Sequence, residues 1–179
     1  CGIDLKIPSE SQIIKSLGSL PSAQANYRVL YSLLLDSGLR LVEGVEVIKR
    51  FDLNECERLD GFYRFPLGEF RGSKQAYYAY FSVDTFNRMC ALDGFIGALT
   101  PRNASGFYRK KGYVAPKYLR KFAFDKMIEL QVPESIADFI EGRVPRRIGA
   151  KHYMALRRQA DRFYGRYEHY IDNLKSMAT

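Results

Sequence analysis

The sequence has few of the residues that bind metal ions or form disulfides. It contains two histidines, His152 and His169, and three widely separated cysteines, Cys1, Cys56 and Cys90. Their spacing matches no metal-binding motif, and the acidic residues form no ligand pattern, so we expect no metal site. An odd number of scattered cysteines indicates reduced thiols, which are typical of an intracellular protein.

Long apolar segments are also missing. No stretch approaches the roughly 18 apolar residues that a membrane-spanning helix needs, and the N-terminus lacks the layout of a signal peptide. We therefore expect a soluble protein that does not enter a membrane. The chain begins with Cys1 and not with Met, so we expect a fragment or a processed product.

What the sequence does contain is an excess of positive charge. The 179 residues carry a formal net charge of +8, and 46% of them are hydrophobic, which suits one compact domain. Basic proteins of this size often bind polyanions, because Lys and Arg release the counterions condensed on phosphates. The charge is concentrated in three clusters: Arg109, Lys110 and Lys111; Lys117, Arg120 and Lys121; and Arg143, Arg146 and Arg147.

The hydrophobic pattern predicts a mostly helical α+β fold. Ser9 with Gln12 has the pattern of a capping box, and Gly38 is placed to end a helix that contains Tyr27 and Leu35. A β-hairpin is predicted over 62–82, with Lys74 near its tip, because aromatic segments flank a turn that contains Gly72. Further helices are predicted over 41–49, from Ser82 or Asp84 to 92, over 116–130, from 133 to Gly142 and over 153–175. Residues 93–115 are predicted to be mostly loop, and 143–151 a basic linker.

Cleavage of a phosphodiester without a metal needs a nucleophile, several cations around the nonbridging oxygens and a proton donor for the leaving oxygen. Arginine suits the cationic role, because its planar fork contacts two oxygens at once. The sequence contains a candidate for each of these groups: a Tyr as nucleophile, well-separated Arg residues as cations and a Lys in a predicted turn as proton donor.

One segment, Ser37-Gly38-Leu39-Arg40-Leu41-Val42-Glu43-Gly44, resembles the first conserved box of the tyrosine recombinases, the phage-type integrases. Arg40 and Glu43 stand three residues apart on one helical face, so the carboxylate can buttress the guanidinium. The family also has a catalytic Lys in the turn of a hairpin, which corresponds to Lys74.

The later boxes follow in the family's order. Lys117-Tyr118-Leu119-Arg120 occupies the place of His-x-x-Arg, and Gly142-Arg143 that of Gly-His or Gly-Trp, ten residues before Tyr153. Lys117 and Arg143 thus place charged groups where the family has imidazole or indole. The resemblance then implies that both bind the phosphate by their charge and that Lys74 takes the role of the acid. These basic replacements are most similar to integrases of archaeal spindle-shaped viruses and related archaeal plasmids.

The resemblance implies a catalytic domain over 1–179, without the family's N-terminal DNA-binding part, and a closing helix over 153–175 that carries the nucleophile at its start. Tyr153 is the implied nucleophile, Arg40, Arg120 and Arg143 bind the phosphate, Lys117 assists, Lys74 protonates the leaving oxygen, and Glu43 supports Arg40. Arg109, Lys110, Lys111, Lys121, Arg146 and Arg147 are expected to contact DNA.

The implied partner is double-stranded DNA at attachment sites, bound by a tetramer inside the host cell, without cofactor, metal or ATP. A type IB topoisomerase and a non-enzymatic DNA-binding domain remain as alternatives.

Overall fold

The computed structural model describes residues 2–68, 78–92, 98–144 and 148–178. Within these ranges the chain forms eight α-helices and one antiparallel sheet of three strands, so the predicted class, a mostly helical α+β protein, is confirmed. The helices are α1 (Glu10–Ser19), α2 (Ala25–Ser37), α3 (Leu41–Arg50), α4 (Val83–Cys90), α5 (Pro101–Lys110), α6 (Pro116–Glu129), α7 (Glu134–Ile140) and α8 (Ala150–Ser176). The strands are β1 (Glu57–Arg58), β2 (Phe62–Pro66) and β3 (Tyr78–Ser82).

Local sequence signals place the first three helices. The Ser9 side chain accepts a hydrogen bond from the backbone of Gln12, whose own side chain accepts from the Ser9 backbone, so the predicted capping box is present. Gly38 adopts a left-handed conformation, with φ 66°, and its N–H donates to Leu34. The chain therefore turns sharply between α2, which is buried from Val29 to its end, and α3.

The predicted hairpin is confirmed in its two strands. β2 and β3 pair antiparallel, with Phe62 opposite Ser82 and Pro66 opposite Tyr78, while the residues 69–77 that join them lie outside the described part of the chain. The short strand β1, which pairs with β2, was not predicted from the sequence. Ser82, one of the two predicted caps, accepts a hydrogen bond from the Thr85 backbone and begins α4.

The prediction that residues 93–115 are mostly loop is wrong for 98–115, where α5 lies, whereas residues 93–97 are outside the described part of the chain. The Thr100 side chain accepts a hydrogen bond from the Asn103 backbone, and Pro101 fills the first helical position, where its missing N–H costs nothing. Buried Tyr108 then fixes the helix to the core by donating to the Tyr27 carbonyl at 2.6 Å. The glycines in this stretch concealed these start signals.

Helix α8 packs against its own chain. The hydroxyls of the fully buried Tyr164 and Tyr167 donate to the carbonyls of Asp36 and Leu35, at 2.7 and 2.6 Å. Near the end of α8, Lys175 Nζ lies 2.8 Å from a carboxylate oxygen of buried Asp36. Helix α8 begins at Ala150, three residues before the predicted start at Tyr153. Of the described helices, none has the length and apolar character required to span a bilayer.

Candidate functional site

Arg40 lies at the start of α3, in extended backbone conformation directly after the Gly38 turn. Its Nη1 donates to Glu43 Oε1 at 2.7 Å, so the pairing predicted from the three-residue spacing is confirmed. Glu43 is buried, whereas 32% of the Arg40 side chain is exposed. Burial raises the pKa of Glu43, while the positive charges of Arg40, Arg120 and Arg143 act in the opposite direction.

Arg120 reaches the same region from α6. Its Nη1 donates to the Gly38 carbonyl at 3.0 Å and to the Glu141 carbonyl at 2.6 Å. The residue is buried, and its Nη2 makes no hydrogen bond to the described part of the chain. Desolvation lowers the pKa of Arg120 to about 10, so the guanidinium is charged at neutral pH.

Arg143 follows the end of α7. Its Nη1 lies 2.5 Å from Glu141 Oε1, and its guanidinium carbon lies 5.1 Å from the centre of the Phe124 ring. One third of its side chain is exposed. Because α7 ends at a turn around Gly142, Arg143 projects toward α6, where Phe124 lies one turn after Arg120.

The structure brings the three arginines together. Arg120 donates to the carbonyl of Gly38, two residues before Arg40, and both Arg120 and Arg143 donate to Glu141. In this arrangement the charges of all three arginines act to lower the pKa of Glu43. Three guanidinium groups and two buried carboxylates, those of Glu43 and Glu141, thus form one group, which we name the arginine cluster. It is open to solvent at Arg40 and Arg143, and clustered guanidinium groups are suited to bind an oxyanion.

Glu141 is the residue of the cluster that the sequence prediction missed. It is fully buried, and burial raises its pKa to about 8 although Arg120 and Arg143 act to lower it. It also lies against the turn before α3: a Cβ atom on Gly38 would fall 2.0 Å from Glu141 Oε2. The available signal was an acidic residue that follows the apolar Phe139-Ile140 and directly precedes Gly142-Arg143.

Tyr153 lies in the first turn of α8 and is half-buried. Its ring stacks near Tyr78 of β3, with 6.2 Å between ring centres, and meets the edge of Phe139 at 5.5 Å. Phe139 is two residues before Glu141, so the Tyr153 ring packs on the end of α7, directly before a member of the arginine cluster. One turn along α8, Arg157 donates to the Tyr78 hydroxyl at 3.3 Å.

Lys117 lies elsewhere on α6, and 67% of its side chain is exposed. Its Nζ is 3.6 Å from Asp4 Oδ2 and 4.8 Å from the centre of the Tyr118 ring. Lys121 Nζ lies 3.4 Å from the same Asp4 oxygen, which also accepts a hydrogen bond from the Tyr118 hydroxyl at 2.8 Å. The contacts that the structure gives Lys117 are therefore with the N-terminal segment and not with the arginines.

The remaining predicted site residues divide into two groups. Lys74, Arg146 and Arg147 lie outside the described residues. Arg109, Lys110 and Lys111 are all exposed at the C-terminal end of α5, and not in a glycine-rich loop.

The fold and the cluster define a basic α+β protein with a group of arginines suited to an anion such as a phosphate. Comparison with protein families matches the archaeal phage integrases over residues 5–171, and a search of curated proteins gives no match. The chain belongs to the archaeal phage integrase family, as its boxes had indicated. Membership supports a role as a DNA-binding enzyme of integration and recombination.

Proposed function

We propose that this protein is a tyrosine recombinase that cleaves and rejoins DNA at specific sites through a covalent link to Tyr153. The observation that supports this best is the convergence of Arg40, Arg120 and Arg143, which come from three separate parts of the chain. The charges of these arginines repel one another, and the buried carboxyl groups of Glu43 and Glu141 offset this repulsion only in part, because burial raises the pKa of both. An anion held between them removes that repulsion.

In the proposed reaction, the Tyr153 hydroxyl gives its proton to water, and its oxygen attacks the scissile phosphorus and forms a 3′-phosphotyrosyl bond as the bond to the 5′-oxygen breaks. Arg40, Arg120 and Arg143 stabilise the charge that develops on the nonbridging oxygens. Lys74 gives a proton to the leaving 5′-oxygen, and Lys117 assists once it has left Asp4. A 5′-hydroxyl of the partner duplex then attacks the phosphotyrosyl bond and releases Tyr153.

The energy of the phosphodiester is kept in the phosphotyrosyl bond, so rejoining needs no ATP. The arginines supply the charge stabilisation that metal ions provide in many other phosphoryl-transfer enzymes. We propose double-stranded attachment sites as the substrate, four copies of the chain as the active assembly, and a place inside the host cell on DNA. Residues 1–179 act as the catalytic domain, within which α8 carries the nucleophile.

Trapping the covalent adduct tests the proposal. A duplex with a nick close to the cleavage point loses a short fragment after attack, so the protein stays linked to the DNA. We expect a band of protein–DNA adduct that survives denaturation, and peptide mapping is expected to place the link on Tyr153. A link at another residue, or no adduct on attachment-site DNA, contradicts the proposed mechanism. An adduct accompanied by relaxation of supercoiled DNA but no exchange between two sites favours a type IB topoisomerase.

The contact of Asp4 with Lys117 and Lys121 gives a prediction on DNA affinity. The Lys6 backbone, Tyr118 and Lys121 stabilise the Asp4 carboxylate and lower its pKa to about 2, so it is ionised at neutral pH. Asp4→Asn removes a charge that competes with DNA phosphates for the two lysines. We expect the Kd for duplex DNA to fall about two- to fivefold, with a steeper dependence of log K on log salt concentration.

Asp60→Asn serves as the matched control, because Asp60 is also exposed and the change in net charge is the same. Both variants are titrated with fluorescent duplex DNA at four salt concentrations. An equal gain in the two variants would show that only net charge matters and that the Asp4 site has no special part in binding.

A further inference from the structure

Glu141 contacts two of the three arginines through different parts of the residue. Its backbone carbonyl accepts a hydrogen bond from Arg120 at 2.6 Å, and its carboxylate accepts one from Arg143 at 2.5 Å. Its side chain also packs against the Gly38 turn, from which Arg40 starts α3. The position of each arginine is thus tied to this one residue.

Packing alone does not account for a carboxylate at this position. The α7 residues that precede it, Ile136, Ala137, Phe139 and Ile140, are buried apolar side chains. Burying a carboxyl group next to them costs free energy that its contact with the Arg143 guanidinium offsets in part, and a leucine would avoid that cost. A titratable residue in such surroundings is best explained by what it does to its partners.

The two solvent-facing arginines are held in the same way. Arg40 is bound by buried Glu43, and Arg143 by buried Glu141, each through its Nη1 and with about one third of the side chain exposed. Each carboxylate therefore binds one nitrogen of a guanidinium group whose side chain remains partly exposed. In a fork with five donors, this arrangement leaves other N–H groups for an anion.

We propose that Glu141 is a positioning residue for strand cleavage, whose carboxylate fixes the guanidinium of Arg143 beside the scissile phosphate without itself contacting DNA. This inference rests on the proposed function and adds to it a residue outside the recognised boxes. Glu141 acts through Arg143, because its side chain is fully buried behind that arginine.

The charged and titratable groups around Glu141 determine how the effect depends on pH. Those that face it are Arg120 of α6, Asp138 of α7, Arg143 and the hydroxyl of Tyr167 of α8, with Arg40 and Glu43 of α3 next to Arg120. Burial raises the pKa of Glu141 to about 8. The ionised form, which holds Arg143 through a charge-assisted bond, therefore increases as the pH rises through 8. A bound phosphate raises the pKa of Glu141 further, so in the DNA complex the increase continues above pH 8.

Glu141→Gln keeps the shape of the side chain and removes its charge. We expect the rate of adduct formation to fall about 10- to 100-fold at pH 9.5, as for other residues that orient a group at a reacting centre, and only a few-fold at pH 6.5. The ratio of the wild-type rate to the variant rate cancels titrations that are common to both proteins. A ratio that is constant between pH 6.5 and 9.5 would overturn the proposal, because a purely structural defect does not follow the ionisation of Glu141.

Two controls isolate the contact with Arg143. Asp138→Asn removes the more distant carboxylate, 3.8 Å from Arg143 Nη1, and is expected to change the rate less than threefold. In a double-mutant cycle, Glu141→Gln is expected to have no further effect once Arg143 is replaced by Gln, because Glu141 acts through that side chain. Additive effects would overturn the proposal.

A readout that needs no activity separates this inference from the proposed function. In NMR spectra of the guanidinium groups, we expect rotation of the Arg143 group to be slow in the wild type at pH 9 and fast in Glu141→Gln. Unchanged rotation overturns the positioning role even if the protein forms the adduct. If the wild type forms no adduct, the proposed function fails. Slow rotation of the Arg143 group in the wild type and fast rotation in Glu141→Gln would then still show that Glu141 restrains Arg143.

Discussion

Tyr153→Phe is expected to abolish adduct formation, with a fall in cleavage rate of about 10³-fold or more, while duplex DNA is bound with unchanged affinity. Removal of a catalytic nucleophile has effects of this size or larger, because the covalent step then has no route. The phenyl ring retains the stacking with Tyr78 and Phe139, so the start of α8 keeps these contacts. The rate is measured by denaturing electrophoresis and the affinity by fluorescence anisotropy.

Tyr170→Phe is the matched control, since it removes a hydroxyl from the same helix at a place where the partner is Glu10. It is expected to cleave at the wild-type rate. A Tyr153→Phe protein that still formed the adduct would exclude Tyr153 from the chemistry, whereas loss of DNA binding in that variant would mean that the ring itself contacts DNA.

Gly38→Ala is expected to give the largest loss of stability among single substitutions at the site. An alanine in the left-handed conformation costs about 1–2 kcal/mol, and its Cβ would also overlap the Glu141 carboxylate, with 2.0 Å to Oε2. Glu141 must then move and release Arg143, and disruption of a buried ion pair adds to a total of about 3–5 kcal/mol. Urea unfolding measures the free energy, and adduct formation is expected to fall with it.

Gly112→Ala separates the two contributions. Gly112 also has a positive φ, of 74°, but a Cβ atom there would meet nothing within 4 Å. This variant is expected to lose only the backbone contribution, about 1–2 kcal/mol. Equal losses in the two variants would show that Glu141 adapts to the added methyl group at little cost.

The sequence was most informative where the chemistry is local. The Ser9 capping box, the Gly38 turn and the Arg40–Glu43 pair each join residues within a few positions of one another, so spacing alone predicts them. The resemblance to a family then ordered Arg40, Arg120 and Arg143 along the chain, and the structure brings these three together. Their catalytic roles, like that of Tyr153, stay predictions.

The sequence was least informative where a contact joins distant parts of the chain. Glu141 packs on Gly38, about a hundred residues earlier, and nothing in the pattern around either residue indicates the other. Lys117 has the place of a box residue, but the structure turns it toward Asp4, which no local rule connects with α6. Helix α5 was missed for a different reason: the glycine content of its surroundings outweighed the Thr100-Pro101 start signal.

The first half of the 27-residue helix α8 is joined to β3, where the Tyr80 hydroxyl donates to Asp161 at 2.8 Å. The second half is anchored to α2 by the hydroxyls of Tyr164 and Tyr167 and by Lys175, whereas the first turn has no side-chain cap at Gly149. Described contacts of the Tyr153 ring are aromatic, with Tyr78 and Phe139. These polar anchors of α8 all follow Tyr153 in the chain, so we expect a rearrangement confined to the first turn of the helix to leave them intact.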